Sequence, residues 1–228
     1  MRLLLFDIDG TLIRSNSAGR LAMAAALEEM FGTSGPLESY NMSGKTDARI
    51  ITDLMTAIGL SAEEAEQKLP LTYELMAEKA MDIYPGRGIV PCAGVEKLLN
   101  YLRSREDVVL GLLTGNSQST TPLKLQEAGI QPEQFVVGAF GSDDLDRNRL
   151  VAVATERFLA LTGRQIAGDN MVIIGDTPAD ILCARAGKAT AIAVATGWHS
   201  METLARYNPD FLFEDLEDLP VVTQAMLG

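Results

Sequence analysis

Leu3-Leu4-Leu5-Phe6-Asp7-Ile8-Asp9-Gly10-Thr11 begins as an uninterrupted apolar run and stops at two aspartates and a glycine. Four consecutive apolar residues without polar alternation read as a strand buried on both faces, as in the middle of a parallel sheet. Ligands of open parallel sheets bind beyond the carboxyl ends of the strands, so Asp7 and Asp9 fall where a site belongs. Residues two apart on extended backbone share a face, which would aim both carboxylates at one small volume. Carboxylates that close repel each other unless a cation lies between them or one is protonated.

Working outward, residues 108–113, 135–137, 171–174 and 189–194 repeat the apolar run, each followed by a turn and a helical pattern. Val95, Leu98, Leu99 and Leu102 form one helical stripe, and Leu150, Val153, Ala154, Phe158 and Leu161 another. This alternation predicts an α/β fold with a Rossmann-like parallel sheet. Residues 15–84 break it with helical patterns only, two of them closed by Gly32 and Gly59. The expected organisation is therefore a sheet domain over 1–14 and 85–228, with an all-helical cap inserted at 15–84.

Composition narrows the class. A chain of 228 residues, 47% hydrophobic and 22% charged, is ordinary for a soluble globular protein. The net charge of −12 supplies no basic stripe for nucleic acid, and an anionic substrate would have to be held by local cations. No run is long enough to span a membrane, and the apolar start is cut off by Asp7 and Asp9 before it resembles a secretion signal. Cys92 and Cys183 lie far apart without metal or redox spacing and read as buried small residues in a reducing cytoplasm.

Two further strand ends carry chemistry. Met171-Val172-Ile173-Ile174-Gly175-Asp176-Thr177-Pro178-Ala179-Asp180 is a buried strand, a glycine, and aspartates at the start of a helix. Beside Asp7 and Asp9, these add hard oxygen ligands of the kind that suit one Mg²⁺. Leu110-Gly111-Leu112-Leu113-Thr114-Gly115-Asn116 ends in a hydroxyl, a glycine and an amide, which can hold phosphate oxygens without adding charge. Gly44-Lys45-Thr46 imitates the end of a P-loop, but position 39 is serine and no strand precedes it. It reads instead as a loop and helix cap, with Thr46 or Asp47 capping. His199, the only histidine, has no partner motif and reads as a surface or packing residue.

Together and in this order, the three motifs resemble the haloacid dehalogenase superfamily, whose signature begins DxDGT; the tail Thr196-Gly197 and Asn208-Pro209-Asp210 looks like its phosphoglycolate-phosphatase-like members. The resemblance implies a Mg²⁺-dependent phosphatase acting on a small phosphorylated metabolite. Asp7 would be the nucleophile and Asp9 the general acid/base. Mg²⁺ would be bound by Asp7, the backbone carbonyl of Asp9 and Asp176, with Asp180 in close support. Thr114, Gly115 and Asn116 would bind the phosphoryl group, and Lys45 would meet the substrate from the cap unless it is simply a solvated lysine. The family's usual lysine before the last metal motif is missing from Asp143-Asp144-Leu145-Asp146-Arg147-Asn148-Arg149-Leu150. Its role is assigned to Arg147, whose planar fork can bridge a carboxylate and a phosphate, with Arg149 as second choice. Lys124 reads as part of a solvated helix face. The competing expectations are a phosphomutase on the same scaffold and a catalytically silent binding protein.

Overall fold

Leu4 and Phe6 are enclosed in a different core from Leu3 and Leu5, so the first strand is buried on both faces. In the computed structural model, which describes residues 1–228, this strand, β1 (Arg2–Phe6), lies inside a six-stranded parallel sheet. Its other strands are β4 (Val108–Leu113), β5 (Val137–Ala139), β6 (Met171–Gly175), β7 (Thr190–Val194) and β8 (Phe211–Phe213), in the order β5-β4-β1-β6-β7-β8. Helices α4 (Val95–Arg103), α5 (Thr121–Glu127) and α9 (Leu219–Leu227) contribute to the core on the Leu4 face. Helices α6 (Leu150–Thr162), α7 (Pro178–Ala186) and α8 (Met201–Ala205) contribute to the core on the Leu3 face.

The insertion after β1 begins with β2 (Ile13–Arg14), which pairs antiparallel with β3 (Val90–Pro91). Between them run α1 (Ala18–Phe31), α2 (Asp47–Ala57) and α3 (Ala62–Ile83). These helices have a core of their own, built from residues such as Met23, Leu27, Ile51, Leu54 and Met76. Thr46 caps α2 by accepting from the Arg49 N–H, and Ser61 with Glu64 forms a capping box on α3. The two crossings between cap and sheet domain are tied together: Asn16 Nδ2 donates to the carbonyls of Arg87 at 3.1 Å and Gly88 at 2.8 Å. Asn16 and Ser17 both adopt positive φ there, a conformation that non-glycine residues reach only when their surroundings hold it.

Three differences from the sequence expectation are local. The strand expected at 135–137 forms at Val137–Ala139, because Pro132–Gln134 makes a 3₁₀ turn that carries Phe135 into the core before the strand begins. β8 is a three-residue edge strand whose Phe211 stays exposed, so its pattern lacked the closed apolar run of the central strands. β2 and β3 are two residues each, too short to leave a periodic signal.

Candidate active site

Parallel strands deliver their carboxyl ends to one edge of the sheet, and β1 has β4 and β6 as its two neighbours. Asp7 therefore follows β1 directly, with Thr114 after β4 on one side and Asp176 after β6 on the other. The Asp7 N–H donates to Ile174 O at 2.9 Å, which fixes the tip of β1 against the tip of β6. Oxygens of Asp7, Asp176 and Asp180 lie within 4.8 Å of one another, and all three residues are buried. Asp180 arrives through helix geometry: Pro178 starts α7, and Asp180 reaches back one turn, where its Oδ2 accepts from the Thr177 N–H at 3.0 Å and hydroxyl at 2.7 Å.

One guanidinium faces this cluster. Arg147 Nη2 is 3.0 Å from Asp7 Oδ1 and 2.5 Å from Asp180 Oδ1. The residue sits in a 3₁₀ turn, Arg147–Arg149, that leads into α6, and its carbonyl accepts from the buried Cys183 thiol. Burial works against the Arg147 charge, but Asp180 and Asp7 outweigh it and raise its pKa. Arg149 turns away, 72% exposed, and meets only Asp144 at 3.6 Å.

A single cation among three buried carboxylates leaves negative charge uncompensated. Burial pushes the Asp7 carboxyl up to about 6, with Arg147 pulling it down and Asp180 and Asp9 adding to the rise. Burial, then the charges of Asp7 and Asp180, hold Asp176 well above the usual carboxylate range. Asp176 has no ion-pair partner, and both oxygens of Asp180 are already engaged. All three carboxylates are placed where a hard divalent cation could be held, with Asp180 also tied to Arg147 and Thr177. Gly10 and Gly197 lie against the Asp176 carboxylate, where a Cβ on either would overlap it. This space requirement, more than backbone freedom, explains the glycine at 197.

Asp9 does not join the cluster. The chain leaves extended geometry after Phe6, with Gly10 at φ +84° and Asp9 bridged to Ile13, so the two-residue repeat that would align Asp7 with Asp9 no longer applies. The Asp9 side chain stands apart from the three clustered carboxylates. Its Oδ2 accepts from Asn116 Nδ2 at 2.8 Å and from Lys124 Nζ at 2.7 Å. Burial raises the Asp9 carboxyl, but the adjacent Lys124, by charge and by hydrogen bond, brings it below its ordinary value.

Lys124 corrects the sequence expectation of a solvated face, because the residue is only 3% exposed. In α5 the inward positions are Thr121, Lys124 and Leu125, with Ala128 one turn on. That i, i+3, i+4, i+7 stripe was present in the sequence and would have placed the lysine inward. Thr114 is fully buried and stands behind Asn116, which donates to its hydroxyl at 2.8 Å, whereas Asn116 and Gly115 line the cavity.

The cap closes the site through backbone contacts. Asp47 N–H donates to Gly115 O at 2.7 Å, Ala48 N–H donates to Gly141 O at 3.1 Å, and the Asp47 carboxylate accepts from Ser117 N–H at 2.7 Å. Burial pushes that Asp47 carboxyl up to about 6, against the pull of Lys124. On the other side Ser43 Oγ pairs with His199 Nε2 at 2.9 Å, so the histidine bridges the two domains. A half-open cavity of about 450 Å³ runs from Asp7, Asp9 and Asp176 to Lys45 and to Trp198, which is 95% exposed. Lys45 Nζ donates to Tyr40 Oη at 2.6 Å and lies 3.9 Å from Asp53.

An open parallel sheet with buried carboxylates gathered at its strand tips under a helical lid is the layout of an α/β enzyme with an aspartate-centred site. Residues 4–194 match the model of the haloacid dehalogenase-like hydrolases, and the chain belongs to that family. It is 31% identical over 229 residues, 99% of each chain, to a phosphoglycolate phosphatase of Synechococcus elongatus. It is 25% identical to phosphoglycolate phosphatase 1 of Pseudomonas aeruginosa, covering 98% of this chain and 80% of that one. The fold is similar to the crystal structure of a hydrolase from Pseudomonas syringae, with a TM-score of 0.71 and 22% identity over the whole of both chains.

Proposed function

We infer that this chain is a phosphoric monoester hydrolase that uses Mg²⁺ and passes the phosphoryl group through Asp7. The observation that carries the reading is the separation of the carboxylates into two sets with different cations. Asp7, Asp176 and Asp180 cluster together with Arg147 paired to Asp7 and Asp180, while Asp9 is held apart by Lys124 and Asn116. A nucleophile and an acid/base need different surroundings, and this chain supplies them side by side.

The uncompensated charge at Asp7 and Asp176 suits a hard cation, and both would hold it. Mg²⁺, when bound, supplies charge neutralisation between the Asp7 carboxylate and a phosphate oxygen. Arg147 then orients Asp7 and offers its fork to the transferring group. An Asp7 oxygen bonds to phosphorus, the ester P–O bond breaks, and the leaving oxygen takes its electron pair and a proton from Asp9. Water then attacks phosphorus, the P–O bond to Asp7 breaks, and Asp9 accepts the water's proton. Ester and water become alcohol and phosphate.

The phosphoglycolate phosphatases among the relatives support a small anionic ester, which makes 2-phosphoglycolate the first compound to assay. Phosphate release from a panel of phosphorylated metabolites, with Mg²⁺ and with chelator, tests the reading. Release that is Mg²⁺-dependent and lost in Asp7→Asn supports it. Transfer to a second sugar hydroxyl without net phosphate release would instead make the protein a mutase. Binding without turnover would make it a silent relative.

A further inference from the structure

Two buried cations face this cavity, and only Arg147 touches the nucleophile cluster. Lys124 is the other, and its surroundings assign it elsewhere. Its ammonium donates to Asp9 Oδ2 at 2.7 Å and to Asn116 Oδ1 at 2.5 Å, while Asn116 Nδ2 donates to the same Asp9 oxygen at 2.8 Å. Lysine, amide and carboxylate close a three-membered ring of hydrogen bonds around Oδ2. The other oxygen, Asp9 Oδ1, is enclosed and has no hydrogen-bond partner. A carboxylate with one orphaned oxygen would turn to satisfy it, so the observed rotamer needs something to hold it. The ring does so. The Asp9 side chain nonetheless keeps 35% exposure, so it is clamped without being sealed off.

The cap supplies the space for that ammonium. Gly19, in α1, lies over Lys124, and a Cβ at position 19 would come within 2.8 Å of Nζ. Gly19 has no positive φ to explain it, and glycine inside a helix is less favourable than alanine. Room for the lysine head is what the glycine provides.

We propose that Lys124 is the positioning residue for Asp9, and that Gly19 lets the cap close over the Lys124 ammonium without displacing it. The proposal rests on the reading above in which Asp9 protonates the leaving oxygen. Lys124 does not touch the phosphoryl group in this scheme. Its effect reaches the reaction through where it holds the Asp9 carboxyl, whereas its charge by itself favours the ionised form and works against proton donation.

That distinction sets the test. Protonation matters most when the leaving oxygen is a strong base, so loss of a positioned acid falls hardest on alkyl phosphates and lightly on aryl phosphates. The ratio kcat/KM reports the steps up to phosphoryl transfer onto Asp7, so later water attack does not blur the comparison. Lys124→Met should lower kcat/KM for 2-phosphoglycolate or glycerol phosphate by about 10²-fold or more, and for p-nitrophenyl phosphate by less than ~10-fold. Asp9→Asn should show the same graded pattern, and Asp9→Asn with Lys124→Met should lose little more than Asp9→Asn alone. A Lys124→Met loss that is equal on both ester types, or that multiplies with Asp9→Asn, overturns the proposal. If Asp9→Asn itself loses equally on both, the acid role of Asp9 fails first.

Gly19→Ala supplies an independent variant that keeps the lysine and favours the helix. It should reproduce the graded pattern in weaker form, several-fold on alkyl phosphates with aryl turnover near normal. An unchanged alkyl-to-aryl ratio in Gly19→Ala overturns the link between cap and Asp9. Should Lys124→Met not fold, that same ratio decides the proposal.

Discussion

Arg147 places its guanidinium 3.0 Å from the Asp7 carboxylate, yet the two residues are far apart in the sequence, separated by the whole cap and two strands of the sheet. Only the pairing of β1 with β6, and the turn that precedes α6, brings them together. The pair is buried, so truncating the arginine leaves two carboxylates without their counter-charge. Breaking such a pair costs about 3–5 kcal/mol. Arg147→Ala should lose both activity and stability, measured by kcat/KM and by denaturant unfolding. Arg147→Lys keeps the charge but not the fork and should recover only part of either. An Arg147→Ala protein with full turnover would transfer the role elsewhere, whereas Arg149→Ala should be close to silent.

The two aspartates of the first motif should separate experimentally. Asp7→Asn removes the attacking oxygen's charge and should abolish phosphate release at every pH. Asp9→Asn keeps the acidic cluster intact and should still respond to Mg²⁺, with turnover of alkyl esters slower by about 10²–10⁴-fold. Rapid-quench trapping of a phosphorylated protein would report which step each variant stops.

Removing metal should leave the fold standing but less stable. Asp7 and Asp176 repel each other without a cation, so Mg²⁺ should raise the midpoint of thermal unfolding, by about 2.7 kcal/mol of stability at one hundred times its Kd. Chelator should reverse the shift and stop turnover. Asp176→Asn should remove the Mg²⁺ response of the melting curve while raising the metal-free melting point. Equal Mg²⁺ shifts in wild type and Asp176→Asn would count against Asp176 as a ligand.

Asp47 predicts a pH effect with a definite sign. Its carboxyl rises from 3.8 unfolded to about 6 folded, so the folded state prefers it protonated. The stability it contributes is complete below pH ~4 and is lost as pH rises through about 6. Above that, the buried charge costs up to about 3 kcal/mol relative to a neutral group. Asp47→Asn can keep an oxygen toward the Ser117 N–H and should therefore be the more stable protein at pH 7.5, with the advantage gone at pH 4. Unfolding free energies of both proteins across that range check it.

Lys45 tests the cap. Its ammonium lies in the cavity wall against Tyr40 and Asp53, remote from the ring that holds Asp9. Lys45→Ala should change the ranking of substrates by kcat/KM more than it changes the rate with a small aryl phosphate. Uniform losses would place Lys45 in the common chemistry instead.

Sequence alone determined the central strands and what stands at their ends. An unbroken apolar run has one low-energy destination, the middle of a sheet, and an aspartate that ends such a run must emerge at the sheet's edge; hence Asp7 and Asp176 were legible. Gly32 and Gly59 closed the first two cap helices for an equally local reason, since left-handed backbone favours glycine. The tertiary structure decided everything that depends on how a side chain rotates or which elements meet. Asp9 left the face of Asp7 because the chain bends at Ile8 and is no longer extended, and Thr114 withdrew behind Asn116 because its hydroxyl found a nearer partner. The helical stripe of Thr121, Leu125 and Ala128 already pointed Lys124 inward, but the anion and the amide that receive it come from other segments, and no local preference encodes such partners.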